Sequence, residues 1–306
     1  MKGARLVGAG AALALLCSSA WAFAYCRTTT CDPRKEACGP AGGCPTRGVP
    51  LFWPSGCVSF SVQKHGSPAR EIEYDAARDT IQDGFRAWIN ADCGGGAKPT
   101  IQVSNYNEAN GVACAKQEYN QGKNAGNANI WMFLDNRWPY ANSEETLALT
   151  TITFNVQNGE IYDADVELNS YDKLLTIGDA NINSDLLSVV THEAGHFLGL
   201  AHAESREATM YPSYNPGETK LRTLTADDVA GICDIYPANR PISSRSCEPR
   251  HGFSERCGGA ADDDGCTTSA GPARPGGLAA LSALSALAAS AIALGFRSRR
   301  RRSSRD

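Results

Sequence analysis

The sequence predicts an α+β fold, an α/β-like sandwich of one sheet and three helices, over residues 48–238. Three observations lead there. Short β-rich runs and helix-period runs follow one another from Val58 onward. The hydrophobic fraction, 42% of 306 residues, is too high for a disordered chain. No internal repeat divides the stretch, whose length suits one hydrophobic core.

Val58–Val62, after the Gly56 turn, is the first strand candidate. Glu71–Asn90 has helical spacing, with Ile72, Ala76, Ile81, Phe85, Trp88 and Ile89 near one face. Gly94-Gly95-Gly96 ends it. Thr100–Ser104 reads as a short strand, 105–127 as a loop rich in Asn and Gly, and Ala128–Leu134 as a strong strand. Leu147–Asn155 and Ile161–Leu168 are two more, and Gln157-Asn158-Gly159 between them signals a hairpin. Ser184 is the expected cap of a helix running to about Leu200. Thr225 opens the last helix, with Asp228 as capping-box partner, and Pro237 closes it.

Both flanks are of another character. Residues 1–24 have a positive start (Lys2, Arg5), an apolar run from Val7 to Cys17 and small-x-small cleavage sites at Ala20–Ala22 and Ala22–Ala24, so they read as a secretory signal. The run is too short to span a bilayer, and Leu15-Leu16 before Cys17 lack the small residue of a lipoprotein signal. Leu278–Phe296 is free of charge and long enough for a membrane or sorting helix, the alternative being a soluble Ala-rich helix. Arg297 and Arg299–Arg302 follow, and would keep residues 297–306 cytoplasmic and the body outside. The order Cys266, Gly/Pro-rich spacer, apolar helix, Arg cluster resembles the MYXO-CTERM type of bacterial sorting tag. That resemblance implies a protein held at the cell surface or released there by cleavage.

Twelve Cys fit an oxidising compartment. Without Cys17 and Cys266 there remain Cys26, Cys31, Cys38, Cys44, Cys57, Cys93, Cys114, Cys233, Cys247 and Cys257, enough for five disulfides of unspecified connectivity. No C-x-x-C pair supports a zinc site made of cysteines. The resulting layout is a Cys-rich extension at 25–47, a domain at 48–238 and a Cys-containing linker at 239–277. Setting aside the charges of 1–24 and 297–306 leaves 21 basic against 32 acidic residues, which excludes a nucleic-acid surface.

The chemistry lies in His192-Glu193-Ala194-Gly195-His196-Phe197-Leu198-Gly199-Leu200-Ala201-His202. His192 and His196, four apart on a helix, project from one face and can share a Zn²⁺. Gly199 lets the chain turn back and deliver His202 as a third ligand, which leaves the fourth position for water, the catalytic arrangement. Glu193 stands beside the ligands without being one and can accept a proton from that water. Met210 follows within Ala208-Thr209-Met210-Tyr211-Pro212.

The pattern H-E-x-x-H-x-x-G-x-x-H followed by a Met resembles the metzincin signature, and Pro212-Ser213-Tyr214 with Leu224–Tyr236 most resembles the matrixin branch. The resemblance covers about 48–238 and is densest at 192–212. It implies a twisted, mostly parallel sheet, an active-site helix, a Met-turn and a C-terminal helix. It implies one catalytic zinc on His192, His196 and His202, Glu193 as catalytic base, and Met210 as a floor under the metal. Pro212 to Tyr214 would wall the substrate pocket, and Leu147–Thr153 would be the edge strand that receives extended substrate. Ala203 stands where matrixins usually carry Ser. His65 and His251 are too few for a second, structural zinc. Cys38-Gly39-Pro40 only faintly echoes the latency cysteine of the family and reads better as a disulfide. Asp163, Asp165 and Glu167 alternate along a strand and share a face. The resemblance implies calcium there; a solvated sheet face is the other reading.

The expected protein is an exported, surface-tethered zinc endopeptidase acting on protein or peptide substrates. A surface adhesion protein on the same scaffold is the alternative, and hydrolysis of a non-protein amide a third reading.

Overall fold

A computed structural model describes residues 25–114, 116–122 and 126–256, and the backbone alone of 280–283. In chain order the elements are β1 (Cys26–Arg27), β2 (Cys57–Val62), a 3-10 turn (Pro68–Arg70), α1 (Tyr74–Ile89), β3 (Gln102–Asn105), β4 (Ile130–Phe133), β5 (Ala148–Phe154), β6 (Ile161–Leu168), β7 (Leu175–Thr176), β8 (Ser184–Asp185), α2 (Leu186–Phe197), β9 (Leu200–Ala201), a 3-10 turn (Lys220–Arg222), α3 (Ala226–Ile235) and β10 (Ala280–Ala283).

The main sheet runs β10-β5-β6-β4-β2-β3. The β2–β3, β2–β4 and β4–β6 pairs are parallel, while β5 returns antiparallel to β6. Strands β2, β4 and β5 are buried along their whole length, as expected of a sheet covered on both faces. A mostly parallel sheet with three α-helices is the predicted α+β arrangement.

Helices α1 and α2 pack so closely that a Cβ on Gly84 would come within 3.0 Å of the Val190 side chain. Trp88 Nε1 donates to the Thr191 carbonyl across this contact at 2.7 Å. Phe85 stands at the centre of the core, with ring centroids 4.9 Å from Phe60, 5.4 Å from Trp131 and 5.0 Å from Phe197. Such aromatic clusters supply much of the buried apolar area of a core.

Several boundaries move for local reasons. Helix α1 begins at Tyr74 rather than Glu71, because Pro68–Arg70 forms its own turn and Glu71 takes a left-handed φ of 55°. Strand β3 begins at Gln102 rather than Thr100, whose N–H is drawn to the Tyr236 carbonyl (2.9 Å) and whose hydroxyl donates to the Pro237 carbonyl (2.8 Å). The cap of α2 is Asp185, which accepts the Ser188 N–H at 2.8 Å, while Ser184 pairs with Leu175 in the β7–β8 ladder. Helix α2 stops at Phe197, three residues earlier than expected. Gly199 then turns the chain with a φ of 102°, where a Cβ would meet the Leu51 carbonyl at 2.7 Å.

The segments flanking the domain are bound to it. Strand β1 pairs antiparallel with β9, and Leu51 N–H donates to the Thr28 carbonyl at 2.8 Å. Disulfides join Cys26–Cys44, Cys31–Cys38, Cys57–Cys247 and Cys93–Cys233, and Cys114 is disulfide-bonded as well. Residues 243–255 lie over the end of β2 and the loop before β4. There Gly56 donates to the Ser244 carbonyl at 2.7 Å, and Asn127 donates to the Gly252 carbonyl at 2.8 Å.

The expected helix over 278–296 is corrected where it is described. Ala280–Ala283 is a strand, paired antiparallel with Thr150–Thr153 of β5. The outer side of β5 offers unpaired N–H and C=O groups, which an extended segment satisfies by strand addition. Among the described residues no helix is long and apolar enough to cross a membrane. The expected secretory signal with Cys17, the expected tag residue Cys266, Cys257, the remainder of 278–296 and the Arg-rich end lie outside the described residues.

Candidate active site

The three histidines converge. One potential ligand atom from each of His192, His196 and His202 lies within 4.8 Å of the others, the one group of this kind among the described residues. Their ring centroids are 4.8 to 5.3 Å apart. His192 and His196 come from successive turns of α2. His202 returns to them because Gly199 ends the helix and β9 is pinned to β1.

The hydrogen bonds orient the rings. His192 Nδ1 bonds the Thr209 carbonyl at 2.7 Å, and His196 Nδ1 bonds the Leu200 carbonyl at 2.9 Å. A carbonyl can only accept, so Nδ1 carries the proton and Nε2 keeps its lone pair. The Nε2 atoms of all three rings are buried and have no hydrogen-bond partner. Burial pushes the His192 pKa down to about 4 and that of His202 to about 3, and holds His196 well below its ordinary value. Three neutral imidazoles with free lone pairs, two of them oriented from behind by carbonyls, suit a tetrahedral divalent zinc ion.

Glu193 is fully buried in the same helix. Its Oε2 accepts the hydroxyl of Thr150 at 2.6 Å, and its Oε1 has no partner. Burial pushes its pKa up to about 8. Met210 is 2% exposed and packs against Gly195, on the turn between the two helical histidines. Its carbonyl accepts the Ala203 N–H at 2.8 Å, which joins the Met-turn to the residue after His202.

Tyr214, expected as a pocket wall, is 5% exposed. Its hydroxyl accepts the Asp185 N–H and donates to the Glu218 carbonyl, each at 2.8 Å, so it fastens the segment after the Met-turn to the start of α2. Pro212 lies part-exposed on that segment. The same end of α2 is gripped by Arg222, whose Nε and Nη2 donate to the two oxygens of Asp185 at 2.8 and 2.7 Å.

Asp163, Asp165 and Glu167 share one face of β6, but that face is not solvated: they are 2%, 0% and 5% exposed. Asp165 accepts the Ile130 and Glu118 N–H groups, each at 2.9 Å, and Glu167 accepts the Tyr140 hydroxyl. Asp163 Oδ1 has no partner. Burial raises all three pKa values, that of Asp165 to about 8. These carboxylates do not converge as the histidines do.

Sequence reasoning missed Thr150, Asp185 as cap, Arg222 and Tyr140. Thr150 shares its strand with Thr151 and Thr153, and nothing local sets it apart; like the others it is paired through tertiary contacts.

The fold and the histidine site together are consistent with a metzincin fold. Residues 117–237, about two fifths of the chain, match the Peptidase_M10 family, Matrixin, which supports a matrixin-like reading of that stretch. Over 62 residues it is 50% identical to metalloendoproteinase 1-MMP of Arabidopsis thaliana, covering 20% of this chain and 17% of the relative. Over 93 residues it is 34% identical to 4-MMP of the same plant, covering 30% and 26%. Over 86 residues it is 36% identical to human neutrophil collagenase, covering 26% and 18%. The chain thus spans about a quarter or less of these relatives' length. The family implies a catalytic zinc, and the orphaned Nε2 atoms fit it.

Proposed function

We propose that this protein is an exported zinc-dependent endopeptidase. One observation carries the reading: three unpartnered imidazole Nε2 atoms converge beside a buried carboxylate whose Oε1 is also unpartnered. When bound, the zinc on His192, His196 and His202 supplies Lewis-acid polarisation of the scissile carbonyl and lowers the pKa of the attacking water. Glu193 takes the proton of that water on Oε1 and passes it to the leaving amine. Met210 supports the helix turn that carries the ligands. Pro212 and Tyr214 bound the pocket for the residue after the scissile bond, and the outer side of β5 receives substrate as an added strand.

Protein or peptide substrates are part of this reading, supported by the strand that β5 already accepts from Ala280–Ala283. Export is supported by the disulfides, and surface retention by the Cys266-to-Arg pattern of the C-terminal sequence. A calcium ion on β6 is narrowed to Asp163, whose buried Oδ1 is unpaired; Asp165 and Glu167 are engaged by the protein.

Hydrolysis of casein by the purified protein, with and without chelator, tests the reading, together with zinc counting. The expected result is chelator-sensitive cleavage and one zinc per chain. An inactive protein that holds zinc would favour the adhesion scaffold.

A further inference from the structure

We infer that Thr150 is a positioning residue for the general base: its hydroxyl holds Glu193 Oε2, so that Oε1 alone faces the attacking water. This rests on the reading of Glu193 as that base.

Strand β5 is buried throughout. Ala148 and Ile152, the neighbours that share a side of the strand with Thr150, belong to the apolar core. Thr150 itself is fully buried. Val has nearly the same shape, and a buried hydroxyl costs stability unless it is hydrogen-bonded. The bond it makes is to Glu193, 43 residues away, at 2.6 Å. A carboxylate at the end of a Glu side chain rotates easily and can present either oxygen. Thr is stiff at χ1, so its hydroxyl is a fixed post. With Oε2 fastened there, Oε1 is left as the buried oxygen without a partner.

The proton balance is simple. The water proton goes to Oε1 and then to the leaving nitrogen, and the Thr150 proton stays on its oxygen throughout. The Thr150 side chain therefore touches neither water nor peptide. Its main chain, however, lies in the strand proposed to receive substrate, where it pairs with Val166 of β6. One residue thus sets both the edge along which the peptide would lie and the direction of the base.

The test compares full-length Thr150→Val, Thr150→Ser and Glu193→Gln with the wild type on a fluorogenic peptide. Zinc content, and the Glu193 carboxyl band isolated as the infrared difference from Glu193→Gln, are read alongside. Thr150→Val is expected to lower kcat by about 10–100-fold, the scale of a misplaced catalytic group, with KM within about twofold. One zinc per chain stays bound, the carboxyl band moves, and Thr150→Ser restores most of the rate. If Thr150→Val does not fold, Thr150→Ala carries the same comparison. An inactive Glu193→Gln beside a Thr150→Val of wild-type kcat and unmoved band overturns this inference and leaves the base reading standing. An active Glu193→Gln overturns both. Loss of zinc from Thr150→Val and Thr150→Ala alike makes the residue structural and also overturns it.

Discussion

Asp228 Oδ1 accepts the backbone N–H of Met210 at 3.1 Å, so the Met-turn hangs from the first turn of α3. Its Oδ2 accepts from Thr209 N–H, Thr225 N–H and the Thr225 hydroxyl, each at 2.8 Å. Thr209 in turn offers its carbonyl to His192 Nδ1. A chain of contacts thus runs from the capping box of α3 to His192, a proposed zinc ligand.

Asp228→Ala is expected to cost about 3 kcal/mol or more, since it leaves buried backbone donors unpaired and removes a cap. For a domain of this size that is a fall in Tm of roughly 10 °C. Zinc affinity should drop by about 10–100-fold through loss of ligand support. Thermal melting and chelator competition check both. A variant with unchanged zinc affinity would show that Thr209 holds its place without Asp228.

Gly195 and Met210 form a second such pair. A Cβ on Gly195 would lie 2.2 Å from Met210 Sδ and 2.8 Å from Trp88 Cζ2. Ala ordinarily favours a helix over Gly by about 1 kcal/mol. Here Gly195→Ala is expected to destabilise by about 1–3 kcal/mol through overpacking. Trp88 is held by its bond to the Thr191 carbonyl, so Met210 must give way. In a Met210→Ala background the Gly195→Ala penalty should shrink. Additive losses in the double-mutant cycle would count against direct contact as the cause.

Glu193→Gln should retain one zinc and lose activity by about 10²–10⁴-fold or more, because the amide cannot take the proton of the attacking water. Active-site zinc and the rate on one peptide substrate are the two measurements. Turnover within a factor of a few of wild type would sink the assignment.

What the sequence disclosed about the site was what it holds locally. His192, Glu193, His196, His202 and Met210 fall within 19 residues, where helix period and one glycine turn decide their geometry. The Thr150–Glu193 and Arg222–Asp185 contacts join elements 43 and 37 residues apart, and no local pattern announces them. The hairpin of β5 and β6 and the Thr225–Asp228 capping box were equally legible, being set by turn and cap chemistry. Ser184 and Asp185 are both good caps, and only the pairing of Ser184 with Leu175 decides between them. Residues 243–255 carry no periodic apolar signal because backbone hydrogen bonds and Cys57–Cys247 bind them to the body. In 278–296, apolar composition suggested a helix. At 280–283 the open edge of β5 governs instead.

The acidic face of β6 yields a pH prediction whose sign follows from burial. Asp163 and Asp165 are buried, and burial raises both pKa values, that of Asp165 to about 8. Between the ordinary carboxylate value of 3.8 and about 8, the folded chain therefore holds more protons than the unfolded chain. Stability then falls as pH rises through that window, since the slope follows the protons bound by the unfolded state less those bound by the folded state. The contribution is fully present below pH 4 and lost by about pH 8. The two amide bonds that Asp165 accepts oppose the effect without reversing it. In calcium-free buffer Asp163→Asn should melt higher than wild type at pH 8 and about level with it at pH 4. Millimolar calcium should raise the wild-type Tm at pH 8, because a hard cation beside Asp163 compensates the buried charge. It should leave Asp163→Asn unmoved. A calcium shift of equal size in both proteins would place the ion elsewhere, and no shift in either would remove calcium from this face.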